Sequence, residues 1–279
     1  MSKDVLGILK KARHSVDLKV SGYNVEITSY THGDTKGFLE ISSEFKDMVE
    51  NYKKTGHMKS GIMKKMLVVQ RNFVADCVAA DDFPEAFSIE DLPISDIVQL
   101  YSEIKRITKG EISLDYYCAN KDCGKGKGGR KIQKFKFDFS EAEFINDFQK
   151  ELVIDNNGEP VTILFNDFTL KTMIQNSLYY EAMAFQKIPK PELIDKYYSS
   201  LISGVRHKND EGEEVTTHFE DRAVLLQFIA QMSDDDFDKV VENMKNIPRY
   251  EWKKEWECSE CGTENKVAIS DVTDFFSIA

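Results

Sequence analysis

The fold is decided by two short stretches, DYYCANKDCG at residues 115–124 and EWECSECG at residues 255–262. In both, an acidic and an aromatic residue precede a pair of cysteines, and a glycine follows the second cysteine. Alternating apolar and polar residues flank each stretch, and this period of two is typical of β-strands. Each stretch is therefore predicted to be a cysteine knuckle, a tight turn carrying two cysteines between two strands. The knuckles supply four thiols: Cys118, Cys123, Cys258 and Cys261.

Structural zinc is held by four ligands in a tetrahedron, and cysteine pairs in tight turns supply such ligands. The first pair has four intervening residues and the second has two, both within the range that zinc sites use. We predict that the four cysteines bind one structural Zn²⁺ ion. Four thiolates leave no open position for a reacting water, so this metal is predicted to be structural and not catalytic.

Two other interpretations of the cysteines stay open, namely ordinary thiols or redox-active pairs. A redox pair usually lies at the start of a helix in a thioredoxin-like unit, whereas both pairs here lie between strand patterns. This difference favours metal binding. The fifth cysteine, Cys77, falls on an apolar helical stripe and is predicted to be a core residue.

Charge and composition argue against a nucleic-acid-binding, a secreted or a membrane-spanning protein. The chain has 48 acidic and 37 basic residues, a formal net charge of -11, and such a field repels phosphate backbones. No stretch resembles a secretion signal or reaches the roughly 20 apolar residues of a membrane span, so we expect a soluble, cytoplasmic protein. A local exception is the glycine-rich basic segment at residues 124–130, interpreted as a flexible loop. Its alternative role is an anion or partner contact made by Lys125, Lys127 and Arg130.

Hydrophobic spacing predicts the other elements. A β-hairpin is expected at residues 16–30 and a strand at residues 161–165. Helices are expected where apolar residues recur at intervals of three and four: residues 38–52, 60–80, 95–110, 140–152, 170–202, 220–231 and 233–245. We therefore predict an α+β fold with a mainly helical body, an N-terminal β-hairpin and a zinc ribbon formed by the two distant cysteine knuckles.

This pattern divides the chain into four predicted parts. The N-terminal hairpin and helical part spans residues 1–110, and the first half of the ribbon spans residues 111–139. A second helical part spans residues 140–249. The second half of the ribbon and the C-terminal tail span residues 250–279.

The order of elements resembles a known family, and a few local motifs carry the resemblance. They are Leu92-Pro93-Ile94-Ser95-Asp96 at a helix start, Tyr117-Cys118 followed by Cys123, Trp256-Glu-Cys-Ser-Glu-Cys-Gly262, and Phe275-Phe276. The chain resembles the baseplate hub assembly proteins of large contractile-tailed bacteriophages of the T-even type. The resemblance implies a phage protein that acts in baseplate or tail assembly, as a chaperone or as a hub component, and has no enzymatic activity.

The leading hypothesis is therefore a structural or assembly protein that binds other phage baseplate hub and tail proteins. We expect it in the host cytoplasm during assembly or in the virion baseplate. The alternative hypothesis is a zinc-ribbon accessory protein that binds nucleic acid through the basic residues 121–136. No paired-carboxylate, serine–histidine–acid or nucleotide motif indicates an enzyme.

Aromatic and histidine residues complete the set of candidates. Aromatic residues near the C-terminus are predicted to be exposed interface anchors, with packing of the last two against the ribbon as the alternative: Trp252, Trp256, Phe275 and Phe276. The histidines occur singly in polar segments and are predicted to be surface residues: His14, His32, His57, His207 and His218.

Overall fold

The computed structural model describes most of the chain, in these segments: residues 13–30, 40, 43–44, 47, 61–79, 83–84, 88–110, 112–124, 131–156, 158–184, 191–209 and 211–270. Some predicted features lie outside these residues. They are the apolar stripe of the helix at 38–52, the basic residues 125–130, His32, His57 and the Phe275-Phe276 pair.

The N-terminal hairpin and two of the predicted helices are confirmed. Their bounds are β1 (Arg13–Asp17), β2 (Asn24–Thr28), α1 (Ile62–Cys77) and α2 (Ile94–Lys109). The strands pair antiparallel, and Gly22 takes a φ of 74° in the turn, a conformation that glycine adopts without strain. Cys77 is buried in the core that these elements share, as predicted.

Polar side chains of α2 hold the hairpin turn in place. Asp96 is fully buried, and its carboxylate accepts hydrogen bonds from the backbone N–H groups of Val20 and Ser21 at 3.0 and 2.8 Å. The side-chain oxygen of Gln99 accepts a third, at 3.2 Å, from the N–H of Lys19. A buried carboxylate is tolerated only with such partners. These bonds therefore fix the position of the hairpin turn at the start of α2.

Two further hairpins carry the cysteine knuckles, as predicted. Their strands are β3 (Ile112–Tyr117), β4 (Ile132–Phe137), β10 (Arg249–Glu257) and β11 (Glu264–Ile269). Both hairpins are antiparallel, and a short strand β5 (Glu143–Ile145) pairs with the other edge of β10. The rings of Phe135 and Phe137 meet the Trp252 ring edge-on, at centroid distances of 6.3 and 5.3 Å. Aromatic packing therefore joins the two hairpins along their length.

The prediction that Trp252 is an exposed anchor is wrong. Its side chain is 0% exposed, and its indole N–H lies 3.3 Å from a carboxylate oxygen of Glu141, to which it donates. Trp256 is half-buried, because its ring packs on Phe135 and Tyr116 at centroid distances of 5.2 and 6.4 Å. Both tryptophans thus stabilise the hairpin pair.

The chain segment between the two knuckles forms a second hydrophobic core. Its antiparallel sheet has the order β6 (Glu151–Asn156), β7 (Glu159–Phe165), β8 (Ile202–Lys208) and β9 (Glu214–His218). The helices of this stretch are α3 (Leu170–Gln175), α4 (Ser177–Ala184), α5 (Pro191–Leu201), α6 (Arg222–Gln231) and α7 (Asp234–Lys245). Buried residues of α5, α6 and α7 pack against the sheet, whereas Leu170 and Met173 of α3 belong to the first core.

The prediction of a mainly helical body is wrong. Of the residues that the structure describes, 42% are helical and 32% lie in strands, and the sheets among them have two to four strands. Residues 140–152 account for part of the error. Their apolar residues recur at helical intervals, but the structure has β5, residues without regular secondary structure and the start of β6 there. β5 forms through its pairing with β10, in which Ile145 lies opposite Arg249, and local periodicity cannot indicate such a distant partner. The structure shows a cysteine cluster, not an established zinc ribbon, and the four-part division stays a prediction.

Candidate metal centre

The four cysteines lie at the tips of the two knuckle hairpins. β3 ends one residue before Cys118, and β10 ends one residue before Cys258. Because the hairpins pack side by side, the knuckles meet, and the four sulfur atoms lie within 4.8 Å of one another. In the described part of the chain, these cysteines form the group of potential metal ligands.

The shortest sulfur–sulfur distances join one knuckle to the other. Cys118 Sγ lies 3.7 Å from Cys261 Sγ, and Cys123 Sγ lies 3.6 Å from Cys258 Sγ. A tetrahedron with Zn–S bonds of about 2.3 Å has an S–S edge of about 3.8 Å. The two shortest separations are close to that edge and all four sulfurs lie within 4.8 Å of one another, so the cluster has the donor set and nearly the size that a tetrathiolate metal requires.

Backbone hydrogen bonds shape the two knuckles alike. At the base of each knuckle the first cysteine donates its N–H to a carbonyl across the turn at 2.9 Å, Cys118 to Lys131 and Cys258 to Thr263. The glycine after each second cysteine has a positive φ, 72° at Gly124 and 67° at Gly262. Positive φ strains other residues, which explains why both stretches end in glycine.

Asn265 connects the two knuckles and was missed by sequence reasoning. Asn265 is only 3% exposed. Its side-chain oxygen accepts a hydrogen bond from the N–H of Ala119 in the first knuckle at 2.7 Å. Its amide group donates to the carbonyl of Thr263 in the second knuckle at 2.7 Å. An asparagine in an alternating strand pattern gives no hint of this role. Its partner lies 146 positions away.

The four sulfurs differ in their exposure. Cys118, Cys123 and Cys258 are buried and form a small cluster of their own, whereas Cys261 is exposed. Lys131 and Glu260 approach each other across the knuckles at 3.8 Å, and both are well exposed, so their ion pair adds little.

The thiols also differ in acidity. Hydrogen bonds from the side chain and backbone of Thr263 lower the pKa of Cys261 to about 6. At Cys123 a backbone hydrogen bond from Lys131 lowers the pKa, but burial and the neighbouring thiols outweigh it and raise the pKa to about 12. The cluster therefore favours a thiolate at Cys261, whereas the raised pKa values of Cys118 and Cys123 oppose thiolates there. A coordinated thiol is deprotonated, so metal binding here must release protons.

One comparison identifies the family of the chain. A family model described as T4 bacteriophage base plate protein matches residues 11–277. The chain belongs to this family. The resemblance to T-even baseplate proteins is thereby confirmed, and both knuckles lie inside the matched residues. No curated protein and no solved structure matches the chain.

The described histidines of this T4-type baseplate protein lie at or near its surface. His14 and His218 are exposed, as predicted, and His207 is half-buried in β8. A helix long and apolar enough to cross a membrane does not occur in the described part of the chain.

A buried carboxylate that the sequence did not indicate lies at the start of α1. Glu181 of α4 is 1% exposed, and its oxygens accept hydrogen bonds from the N–H groups of Gly61 and Met63 at distances of 3.0 to 3.1 Å. A negative charge is favourable at a helix N-terminus. Glu181 therefore links α4 to α1 and has a structural role.

Proposed function

We propose that this baseplate protein is a non-enzymatic component or assembly factor of the phage baseplate hub. Its cysteine cluster binds one structural Zn²⁺ ion. The observation that carries the zinc proposal is the meeting of four sulfurs from two distant knuckles within 4.8 Å of one another, with two cross-knuckle pairs at 3.6 and 3.7 Å. The baseplate role is supported by the family match, which covers nearly the whole chain. Other baseplate hub and tail proteins are its proposed partners.

The donor set favours zinc and a structural role. Four thiolates are soft ligands that select zinc or iron among common metals, and a tetrahedral site suits zinc. Since the four sulfurs fill the coordination sphere, no position is left for water or substrate. Cys118, Cys123, Cys258 and Cys261 would hold the ion. The ion supplies a cross-link between the hairpins.

Such a cross-link would stabilise the first knuckle hairpin, which has little stability of its own. β3 and β4 form a sheet of only two strands, and isolated two-stranded hairpins are marginally stable in water. Aromatic packing covers one face of this sheet, while Tyr117 on the other face is 56% exposed. A metal bond between the tips would hold the hairpin against β10 and β11.

Metal content tests the zinc proposal directly. We expect one zinc per chain by elemental analysis of untagged protein, and loss of that zinc in Cys258→Ser and Cys123→Ser. Cobalt substitution should give the absorption bands of a tetrahedral tetrathiolate. Cys77→Ser is the matched control, because Cys77 is buried in the first core, and it should keep full zinc content. Substoichiometric zinc in freshly purified protein, or equal loss in the Cys77 control, would reject the proposal.

Assembly experiments test the baseplate role. We expect the protein to co-purify with baseplate hub or tail-tube proteins expressed in the same cells. Mass spectrometry of purified virions separates the two forms of the proposal, because a hub component stays in the particle and a chaperone does not. A protein that binds none of the hub or tail proteins would contradict both forms.

The nucleic-acid alternative has weaker support. Two lysines of the basic stretch, Lys131 and Lys134, already face carboxylates of Glu260 and Asp115 at 3.8 and 3.7 Å. A salt-dependent shift of a DNA or RNA probe that disappears after substitution of Lys125, Lys127 and Arg130 would favour this alternative.

A further inference from the structure

The two edges of the four-stranded sheet differ in their protection. At the β6 edge, α7 supplies side chains that bind backbone groups: the carboxylate of Asp236 accepts a hydrogen bond from the N–H of Asp155 at 3.3 Å. The side chain of Asn243 exchanges two hydrogen bonds, at 2.8 and 2.9 Å, with the backbone of Gln149 just before β6 begins. At the other edge, β9 is paired with β8 alone in the described part of the chain, and all five residues of β9 are exposed. One edge is therefore covered by the protein itself, whereas the other is open.

The open side of β9 carries a regular row of backbone hydrogen-bonding groups. Directly after β9, the N–H of Phe219 donates to the carbonyl of Ser203 at 3.0 Å, so these two residues form a hydrogen-bonded pair. Along an antiparallel ladder, such pairs alternate with pairs that are not hydrogen-bonded. In the observed register, the N–H and C=O groups of Glu214, Thr216 and His218 therefore point away from β8.

β9 lacks several features that prevent strands from joining at an open edge. Natural edge strands are blocked by proline, by lysine, by a β-bulge or by a covering segment. Residues 214–218, EVTTH, contain neither proline nor lysine, and the pairing of β8 with β9 has no bulge. Val215, Thr216 and Thr217 are β-branched and favour an extended strand, although none of them is buried. β9 therefore has the backbone and the composition of a strand that accepts another strand.

The sequence of β9 is complementary to a second copy of itself. An antiparallel pair of two β9 strands centred on Thr216 contains these residue pairs: Thr216 with Thr216, Val215 with Thr217, and Glu214 with His218. Like charges directly opposite each other are destabilising, and this register brings none together. The outward N–H and C=O groups of the two copies also face each other. The edge is therefore self-complementary in charge and in hydrogen bonding.

Uncharged surface close to this edge belongs to α6. Residues 223–231 contain no charged side chain, although 30% of the whole chain is charged. Phe219 packs on Phe228 of α6 at a ring-centroid distance of 5.5 Å, so α6 lies near one end of β9. Val224 of α6 is 49% exposed. Two chains that each carry a net charge of -11 repel each other, so a contact between copies is most favourable at an uncharged surface of this kind.

We propose that two copies of the chain form a dimer in which β9 of one copy pairs antiparallel with β9 of the other. The two four-stranded sheets then join into one continuous sheet across a two-fold axis at Thr216. A two-fold contact places the same patch of both copies opposite itself, and the register of β9 satisfies this condition. The proposal goes beyond the baseplate role and does not depend on the zinc, because the residues concerned lie outside the knuckles.

Sedimentation equilibrium of the full-length protein tests the proposal. We expect a reversible monomer–dimer equilibrium whose dimer fraction grows with protein concentration. Thr216→Pro removes an N–H that β8 does not use, and proline is tolerated at such positions of edge strands. It should raise the dissociation constant of the dimer about tenfold or more, because two symmetry-related hydrogen bonds are lost. Val153→Lys changes an exposed residue of the β6 edge strand instead, and as the matched control it should leave the constant unchanged.

A pair of substitutions tests the register. His218→Glu places a carboxylate opposite Glu214 of the other copy, so it should weaken the dimer. Adding Glu214→Gln removes this like-charge contact and should return the dissociation constant to that of the original protein. In hydrogen exchange, the outward N–H groups of β9 should exchange more slowly in concentrated than in dilute protein.

Three outcomes would overturn the proposal. The first is a protein that stays monomeric at high concentration. The second is a dimer that both Thr216→Pro and Thr216→Lys leave intact, which would place the interface elsewhere. The third is protection of β9 from exchange only after a hub or tail protein is added, which would assign the edge to a strand of that protein. Circular dichroism checks the fold of each variant, and Thr216→Lys, which sets two lysines opposite each other, needs no change of backbone.

Discussion

The knuckle hairpins and the four-stranded sheet contain similar antiparallel strands but are stabilised differently. The sheet of β6 to β9 has a core of its own, with Ile163 fully buried under helices from the same stretch of chain. The knuckle hairpins come from two stretches far apart in sequence, and the buried cluster at their tips consists of three cysteines, Cys118, Cys123 and Cys258. Burial is therefore enough to stabilise the sheet, whereas the proposed metal would add a cross-link at the hairpin tips, where little apolar surface is buried.

Metal removal should separate the two regions most strongly. A structural zinc contributes an apparent binding free energy of about 10 kcal/mol, comparable to the stability of a whole domain. After chelation, or in Cys258→Ser, we expect hydrogen exchange at the tips of β3, β4, β10 and β11 to become fast. Exchange in β7 and β8 should change little. Equal loss of protection in both regions would mean that they unfold as one unit.

Ile163→Ala tests whether burial stabilises the four-stranded sheet. Removing this buried side chain should lower the free energy of unfolding of the second core by about 2–5 kcal/mol, through lost burial and the cavity left behind. Urea unfolding followed by hydrogen exchange should show the loss in β6 to β9. Bound zinc should stay in place. Val153→Ala on the neighbouring strand is the control, because Val153 is 61% exposed, and it should change stability by less than about 0.5 kcal/mol.

Asn265→Ala should weaken the knuckles without removing a ligand. It leaves the N–H of Ala119 without its acceptor, which costs about 1–3 kcal/mol, and residues that orient metal ligands typically affect metal affinity 10- to 100-fold, as an order of magnitude. A competition titration with a zinc chelator measures the affinity. Lys266→Ala, which removes an exposed ion pair with Glu255, should leave it unchanged. Wild-type affinity in Asn265→Ala would show that the cysteines alone set the site.

Alkaline pH should change the stability of the first core. Burial, and then the charge of Lys109, lower the pKa of Lys105 to about 8, whereas an unfolded lysine titrates at about 10.4. Between these values the unfolded chain binds more protons, so stability should rise with pH, by at most about 3 kcal/mol. Lys105→Met should remove this rise. Urea unfolding of both proteins at several pH values measures the difference, and equal pH slopes would contradict it.

The local part of the fold was predictable from sequence. The helices α1, α2, α6 and α7 and the knuckle hairpins follow from apolar spacing, capping residues and glycine positions, all of which act between near neighbours. The four cysteines were also brought together as the spacing of each pair predicted. This proximity could be predicted because two cysteine pairs in tight turns are typical ligands of one shared metal.

The non-local part was not predictable. Phe144 and Ile145 fit a helical stripe, yet they form β5 because β10 offers them an edge. Trp252 lies in a charged segment that suggests exposure, yet β4 covers it. The cross-knuckle pairs of sulfurs and the role of Asn265 depend on how the hairpins pack. None of these contacts leaves a pattern within a few residues of the side chain concerned.

Cys123 and Cys258 are 135 positions apart, and this separation has a consequence during translation. A ribosome adds about 5–20 residues each second, so the second knuckle is synthesised roughly 7 to 27 seconds after the first. During that interval the rings of Phe135 and Phe137 lack the indole that later shields them. The nascent polypeptide therefore exposes the aromatic face of its first knuckle hairpin to solvent. This exposure ends only when the second cysteine pair leaves the exit tunnel.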